Sequence, residues 1–189
     1  MTLPTPTRTG YTFKGWGTSS TATSGVTGNY TPTGNVTLYA VWEANNYTVT
    51  YNANGGTGAP DSQSKTFNQA LTLSKATPTR DGFFFIGWAE TANANSAAYQ
   101  PGGSFTKNAD VTLYAVWIKP DLTLPAALTT IESEAFAGGG FNSVLIPPTV
   151  KEIASDAFGD RTDLIILGTS GSYAETFAGE KHFTFVPAA

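Results

Sequence analysis

The sequence predicts a mainly β protein with few short helices, assembled from two kinds of small repeat. Residues 6–42 and 78–117 are two copies of one pattern, PTRTGYTFKGW then NVTLYAVW, and PTRDGFFFIGW then DVTLYAVW. A second, shorter pattern follows, LPAALTTIESEAFAG from Leu124 and IPPTVKEIASDAFGD from Ile146. Threonine also takes the place of charge. Charged residues are 13%, against roughly 25% in ordinary soluble domains, and 22 of the 30 threonines precede Lys119. Threonine is β-branched and suits the outward face of a strand, keeping it wet without charge. Two unrelated repeat types in one chain describe a modular array, a scaffold or binding surface rather than a solitary active site.

The elements follow in order. Trp16 to Trp88 is a spacing of 72 and Trp42 to Trp117 one of 75, so the copies share a plan with loops of unequal length. The second copy is complete, from about Asn46 to Trp117. It opens on Tyr47-Thr-Val-Thr-Tyr51, whose alternation puts Tyr47, Val49 and Tyr51 on one face. Asn54-Gly55-Gly56 tolerates positive φ and predicts a turn. Thr66–Leu73 reads as a second strand, and Pro78 and Gly82 bracket another turn. Phe83–Trp88 is a short apolar strand. Residues 89–108 read as a long loop with room for one helical turn. Val111–Trp117 is the closing strand, with Val111, Leu113, Ala115 and Trp117 on one face. The first copy holds only the second half of this plan and lacks a counterpart of Tyr47–Thr50. A sheet missing that strand exposes an edge. Residues 1–43 are therefore expected to be partly irregular and open to strand-swapped self-association.

The shorter repeat has a period of 22: Leu124 matches Ile146, Leu128 Val150, Ile131 Ile153, and Ala135-Phe136 Ala157-Phe158. Such spacing stacks apolar rungs as a solenoid requires. Pro125 and Pro147 block helix at the start of each rung. Phe136 and Phe158 should stack as buried rungs of one ladder, and Phe141, Val144, Ile146, Leu164, Ile166 and Leu167 should fill the opposite wall. Ser172 with Glu175 reads as a capping box. Tyr173, Ala174, Phe177 and Ala178 form an apolar helical face, Gly179 can end the helix, and Phe183–Val186 is a last strand. Ile118-Lys119-Pro120-Asp121 is too short for a tether, so direct packing is expected at that junction, near Trp117 and Leu122 or Leu124.

The motifs TVTYNANGG at 48–56, PTRDGFFFIGW at 78–88 and LYAVW at 113–117 resemble the Listeria–Bacteroides repeat, the family that includes the B-repeat of internalin-type surface proteins. The resemblance covers residues 46–117 in full and 1–43 in part. It implies small β-grasp-like modules in tandem on secreted or wall-attached bacterial proteins. The pattern I-P-x-x-V-x-x-I-x-x-x-A-F resembles the BspA-like (Treponema pallidum-type) leucine-rich repeat, and GTSGSYAETFAGEKHFTFV at 168–186 is similar to its C-terminal cap. The expected domains are thus 1–43, a partial Listeria–Bacteroides repeat; 46–117, a complete one; and 122–189, leucine-rich rungs with a cap.

Several chemistries find little support in the composition. Without cysteine there is no disulfide, thiolate site or cysteine nucleophile. Residues 1–118 balance to +1 and 119–189 to −5, with no basic stripe, so nucleic acid is not an expected partner. No run approaches the roughly 18 apolar residues of a membrane span, and no signal peptide is visible, which reads as a fragment of a longer protein begun at an introduced Met1.

No residue is assigned a catalytic, cofactor-binding or metal-binding role. His182 is the only histidine; a triad would have to use it, and it reads instead as a surface or half-buried residue of the cap. Glu132 with Glu134, and Asp156, Asp160 and Asp163, could be paired acids, and the three aspartates could be calcium ligands. Glu134 and Asp156 occupy equal positions of successive rungs, as a wet repeat face requires. Trp16, Trp88, Tyr11 and Phe83 could form a sugar platform, but small modules need such aromatics for a core. Trp42 and Trp117 close strands and read as seals of the module junctions. Gly138-Gly139-Gly140 lacks the Lys-Ser/Thr of a phosphate loop. Sequons at Asn29, Asn35 and Asn46 carry no consequence in a bacterium. The expected function is a non-catalytic part of a bacterial cell-surface or secreted protein, binding a host or bacterial surface protein or glycan. A carbohydrate-binding accessory region of an exported enzyme is the alternative.

Overall fold

The computed structural model describes residues 1–188. Among them the chain is mainly β with a single short helix. In chain order the strands are β1 (Tyr11–Gly17), β2 (Tyr39–Ala44), β3 (Asn46–Asn52), β4 (Gln63–Thr66), β5 (Leu71–Thr72), β6 (Phe84–Ala89), β7 (Ser104–Phe105) and β8 (Val111–Ile118). There follow β9 (Leu122–Thr123), β10 (Thr130–Ile131), β11 (Ser143–Leu145), β12 (Glu152–Ile153), β13 (Ile165–Gly168), α1 (Tyr173–Lys181) and β14 (Thr184–Pro187). The chain divides into two compact units, one of residues 1–50, 62–73 and 103–111, the other of 51–61, 74–102 and 112 onward.

In the first unit β1 and β2 pair antiparallel from Tyr11↔Ala44 to Gly17↔Tyr39, with a bulge between Phe13 and Gly15. The first copy therefore forms regular strands, and its irregularity lies in residues 18–38, held by isolated bridges at Val26 and Asn29. β3 pairs antiparallel with β4, and β5 with β7. The strand expected over Thr66–Leu73 is broken. Asn68 sits at φ 56, and the Asn108 side chain binds both its backbone N–H and its Oδ1. A left-handed residue turns the chain out of the ladder. Lys65 on β4 is 1% exposed, and its Nζ donates to Asn108 Oδ1 at 2.7 Å and to Thr66 O at 3.1 Å. A buried ammonium is tolerated only when its hydrogens find oxygens.

In the second unit β6 and β8 pair antiparallel from Phe84↔Ile118 to Ala89↔Tyr114, with a bulge between Phe85 and Gly87. Leu113 and Ala115 are fully buried as the alternation predicts, and the bulge opposite also buries Val116. The stretch 89–108 forms no helical turn; it contributes β7 and a bridge of Tyr99 to Trp88. Beyond β8 the chain winds into parallel ladders. β9, β11, β13 and β14 lie side by side, with Leu122, Val144 and Ile166 in register, and β10 pairs with β12. Backbone bonds repeat between coils: Leu124 N–H to Leu145 O, Ile146 N–H to Leu167 O, and Phe136 N–H to Ala157 O. Pro125 and Pro147 each open a turn, closed by Leu128 and Val150 N–H. The core between the ladders includes Ile131, Val144, Ile146, Val150, Ala157, Phe158, Leu164 and Ile166, closed by Ala174, Phe177 and Phe183. Phe136 and Phe158 stack at 5.5 Å and 15°; Phe158 is buried, while Phe136 at the outer coil stays half-exposed.

The helix differs from expectation at both ends. Ser172 is the N-cap but makes no side-chain cap bond, and its Oγ is buried without a partner among the described residues. Glu175 reaches past it to accept from the N–H of Gly171 at 2.6 Å, so neither bond of the capping box forms. Gly179 lies inside the helix; His182 at φ 58 is the left-handed residue that ends it. The N–H of Phe183 then bonds Ala178 O, which needs a turn placed three residues beyond Gly179.

Candidate interaction surfaces

The repeated PTRxG-aromatic motif forms the same turn twice. Gly10 and Gly82 take φ of 76 and 72, and the N–H groups of Tyr11 and Phe83 return to Arg8 O and Arg80 O at 3.0 Å. Glycine at the third position with positive φ is what a type II turn requires. The turn carries each arginine over the ring three residues later: the guanidinium lies 3.8 Å from the Tyr11 centroid and 3.8 Å from that of Phe83. A face covered by guanidinium is not open to a sugar ring. The recurrence of Arg three residues before an aromatic was the signal for this cation–π pair, and the sequence reading missed it.

The Gly-Trp pair also has a cause. Gly15 and Gly87 take φ of 113 and 127 at the two bulges. A Cβ on Gly15 would lie 2.5 Å from the Gly25 carbonyl carbon, and one on Gly87 2.6 Å from Ala97 Cβ and 2.7 Å from Tyr99 O. Each glycine lets a crossing segment lie directly on its strand. That segment pairs with the tryptophan backbone: Trp16 N–H to Val26 O, Trp88 N–H to Tyr99 O. Trp88 is fully buried, edge-on to Tyr51 and Phe85 at 4.9 Å each. Trp16 is half-buried and donates its Nε1–H to Pro4 O at 2.8 Å. Trp117 packs on Phe85 and donates to Ala53 O and Asn54 O at 3.0 and 3.1 Å, so it seals a turn of its own repeat.

The candidate acids do not converge. Glu132, Glu134, Asp156, Asp160 and Asp163 are all exposed. Asp156 accepts from Ser133 Oγ at 2.7 Å, and Asp163 pairs with Arg161 at 3.1 Å. Arg161 also donates to Gly139 O and Phe141 O, which ties down the triple-glycine loop. Among the described residues no group of three potential metal ligands forms. His182 is exposed and serves as the helix C-cap rather than as part of the last strand. Asp121 has a structural role. Its carboxylate accepts the N–H groups of Asn142 and Ser143 at 2.8 and 3.1 Å, and its own N–H bonds Ser143 Oγ. The Asn142 N–H above all holds its pKa below the ordinary carboxylate range. Asp121 thereby pins the start of the ladder to the next coil.

One concavity was not foreseen. A cleft of about 580 Å³ opens where β6 approaches β14, lined by Phe85, Ile86, Gln100, Ile165, Phe185 and Val186. It brings the β6–β8 hairpin against the parallel ladder through β6 and β14. Sequence separation of about a hundred residues hides such a meeting from pattern reading.

Residues 1–41 and 47–116 match the Listeria–Bacteroides repeat domain family. The chain is 31% identical over 129 residues to internalin H of Listeria monocytogenes, covering 66% of this chain and 22% of that protein. It is 31% identical over 122 residues to a protein of Evansella cellulosilytica named as a Gly-rich membrane protein, covering 58% of this chain and 14% of that one. The chain spans less than a quarter of the length of these relatives. No solved structure gives a significant match. Among the described residues no helix is long and apolar enough to cross a membrane. With the turn, the glycine bulge and the closing Trp present twice in the same register, the chain belongs to the Listeria–Bacteroides repeat domain family.

Proposed function

We propose that this chain is a non-catalytic segment of a bacterial cell-surface or secreted protein. In this reading the Listeria–Bacteroides modules of residues 1–43 and 46–117 are β-grasp-like spacers. Residues 122–189 form a short BspA-like leucine-rich solenoid with its C-terminal cap, and present a face for adhesion or protein–protein interaction. The observation that carries the proposal is the pairing of a family match over the first part with parallel coils at a fixed 22-residue offset in the second. A stack of like coils offers many weak contacts on one rigid surface, which suits a macromolecule better than a small substrate. The similarity to internalin H supports a surface location.

The rival glycan-binding reading loses support from the aromatics. Trp88 is buried and the Tyr11 and Phe83 faces carry arginine. The test is an array of glycans and surface proteins probed with the whole chain and with Glu132→Lys/Glu152→Lys, two exposed positions on neighbouring coils. Binding to a protein that the double variant loses supports the proposal. Binding to a glycan that survives the double variant but is lost in Trp16→Ala overturns it.

A further inference from the structure

We propose that Asn54-Gly55 is a modification site gated by the fold, a one-way latch that deamidates while its turn is open and then resists closing. It is the one Asn-Gly step in the chain. Glycine has no side chain to shield its own N–H, so a neighbouring side-chain amide is most easily attacked at such a step. The chemistry needs no reactant besides water. The Gly55 nitrogen attacks Asn54 Cγ, and the new C–N bond closes a cyclic imide as the Cγ–Nδ2 bond breaks. The Gly55 amide proton leaves with Nδ2 as ammonia. Water then opens the imide. Opening at Cγ gives aspartate; opening at the backbone carbonyl gives isoaspartate, which adds a methylene to the main chain. Nothing is oxidised or reduced, and the loss of ammonia makes the change irreversible.

The folded turn exposes the attacking group and restrains its target. Gly55 is exposed, and its N–H has no acceptor among the described residues. The Asn54 amide is pinned to two segments outside the turn: Nδ2 donates to Ala92 O at 2.7 Å and to Ala115 O at 2.9 Å. The Asn54 backbone N–H is taken by Asn52 Oδ1 at 2.8 Å, and its φ is 49. Ring closure requires the amide to rotate over Gly55, so both Nδ2 bonds must break first. Reaction then follows the fraction of molecules in which the turn has opened. Trp117 holds it shut, since its Nε1–H donates to Ala53 O at 3.0 Å and Asn54 O at 3.1 Å. The product cannot restore the closed form. A carboxylate accepts hydrogen bonds and donates none, so it sets an oxygen against the Ala92 and Ala115 carbonyls. Isoaspartate also stretches the turn that the Gly56 N–H closes on Ala53 O at 2.9 Å.

The test follows Asn54 by peptide mapping and mass spectrometry while the whole chain is incubated at neutral pH. A synthetic peptide of residues 46–59 under the same conditions gives the ungated rate. Conversion in the chain is expected to be at least about tenfold slower, because only the opened fraction reacts. Trp117→Phe keeps a ring and loses the bonds that hold the turn, and should speed conversion at Asn54 roughly fivefold. Asn95, exposed on a loop, is the internal control and should keep its rate. Asn54→Asp places the product in the fold. It should melt below Asn54→Gly, which suits the left-handed torsion and loses the same two bonds without adding an acceptor. Conversion of the whole chain at the peptide's rate overturns the proposal. So does a Trp117→Phe chain that converts at the wild-type rate, or an Asn54→Asp chain at least as stable as Asn54→Gly.

Discussion

The two copies of the Listeria–Bacteroides pattern share a turn, a bulge and a strand register, yet they treat the same tryptophan differently. Trp88 is fully buried against Tyr51 and Phe85, and its indole N–H finds no acceptor among the described residues. Trp16 is half-exposed and bonds Pro4 O. The short motif builds the hairpin in both places. In the second copy Tyr51, from the strand that opens the repeat, packs on the tryptophan, and burial follows such contacts rather than the motif. Local geometry and burial are therefore separable in this repeat, and substitutions can separate them.

The largest expected contrast is at these two tryptophans. Trp88→Ala removes a fully buried ring and should cost about 3–5 kcal/mol, whereas Trp16→Ala should cost roughly 1–2 because part of its area is already in water. Urea midpoints of the two variants give the comparison. Equal losses would mean that the Tyr51 contact adds nothing to burial. A companion contrast lies in the ladder. Phe158→Ala should also cost about 3–5 kcal/mol and Phe136→Ala clearly less, since only Phe158 is enclosed on all sides by Phe136, Phe141, Phe177 and Phe183.

Next come the bulge glycines. Gly87→Ala and Gly15→Ala each force positive φ on an L residue and meet backbone, so each should destabilise by about 1–3 kcal/mol. Melting temperatures check this. A neutral Gly15→Ala would show that the first copy lacks the tight crossing. A smaller effect is expected at the closing tryptophans. Trp117→Phe loses donation to Ala53 and Asn54 and should cost about 0.5–1.5 kcal/mol, while Trp42→Phe should be nearly neutral.

The last effect is a pH dependence. The folded pKa of Asp121 is depressed, chiefly by the Asn142 N–H. Its contribution is therefore present above the ordinary carboxylate pKa and is lost as pH falls through the folded value. Asp121→Asn should flatten the acid side of the melting profile and leave the neutral side parallel to wild type. An acid limb unchanged in the variant would place that dependence on other carboxylates.

How much was legible follows from the range of each interaction. Alternation in Tyr47–Tyr51, Pro at 125 and 147, and the 22-residue match of Leu122, Val144 and Ile166 are local or periodic, and periodic side-chain chemistry survives in a string. The stacking of Phe136 on Phe158 and the closing strand at 111–118 were readable for the same reason. Misreadings fell where one backbone torsion or one distant side chain decides. Asn68, held by Asn108, cut a strand in two, and His182 rather than Gly179 took the left-handed position after the helix.

By itself the sequence determined that the chain is a mainly β array of two repeat types, where its turns fall, and which family the first type belongs to. Those properties depend on neighbours within a few residues or on a repeat. Only the tertiary structure decided which tryptophan is core, that arginines cover Tyr11 and Phe83, that Lys65 is buried among oxygens, and that β14 returns to β6 to form a cleft. Each of these depends on how segments far apart in the chain exclude water from one another. Burial is a property of the assembled surface, and no single residue or motif carries it.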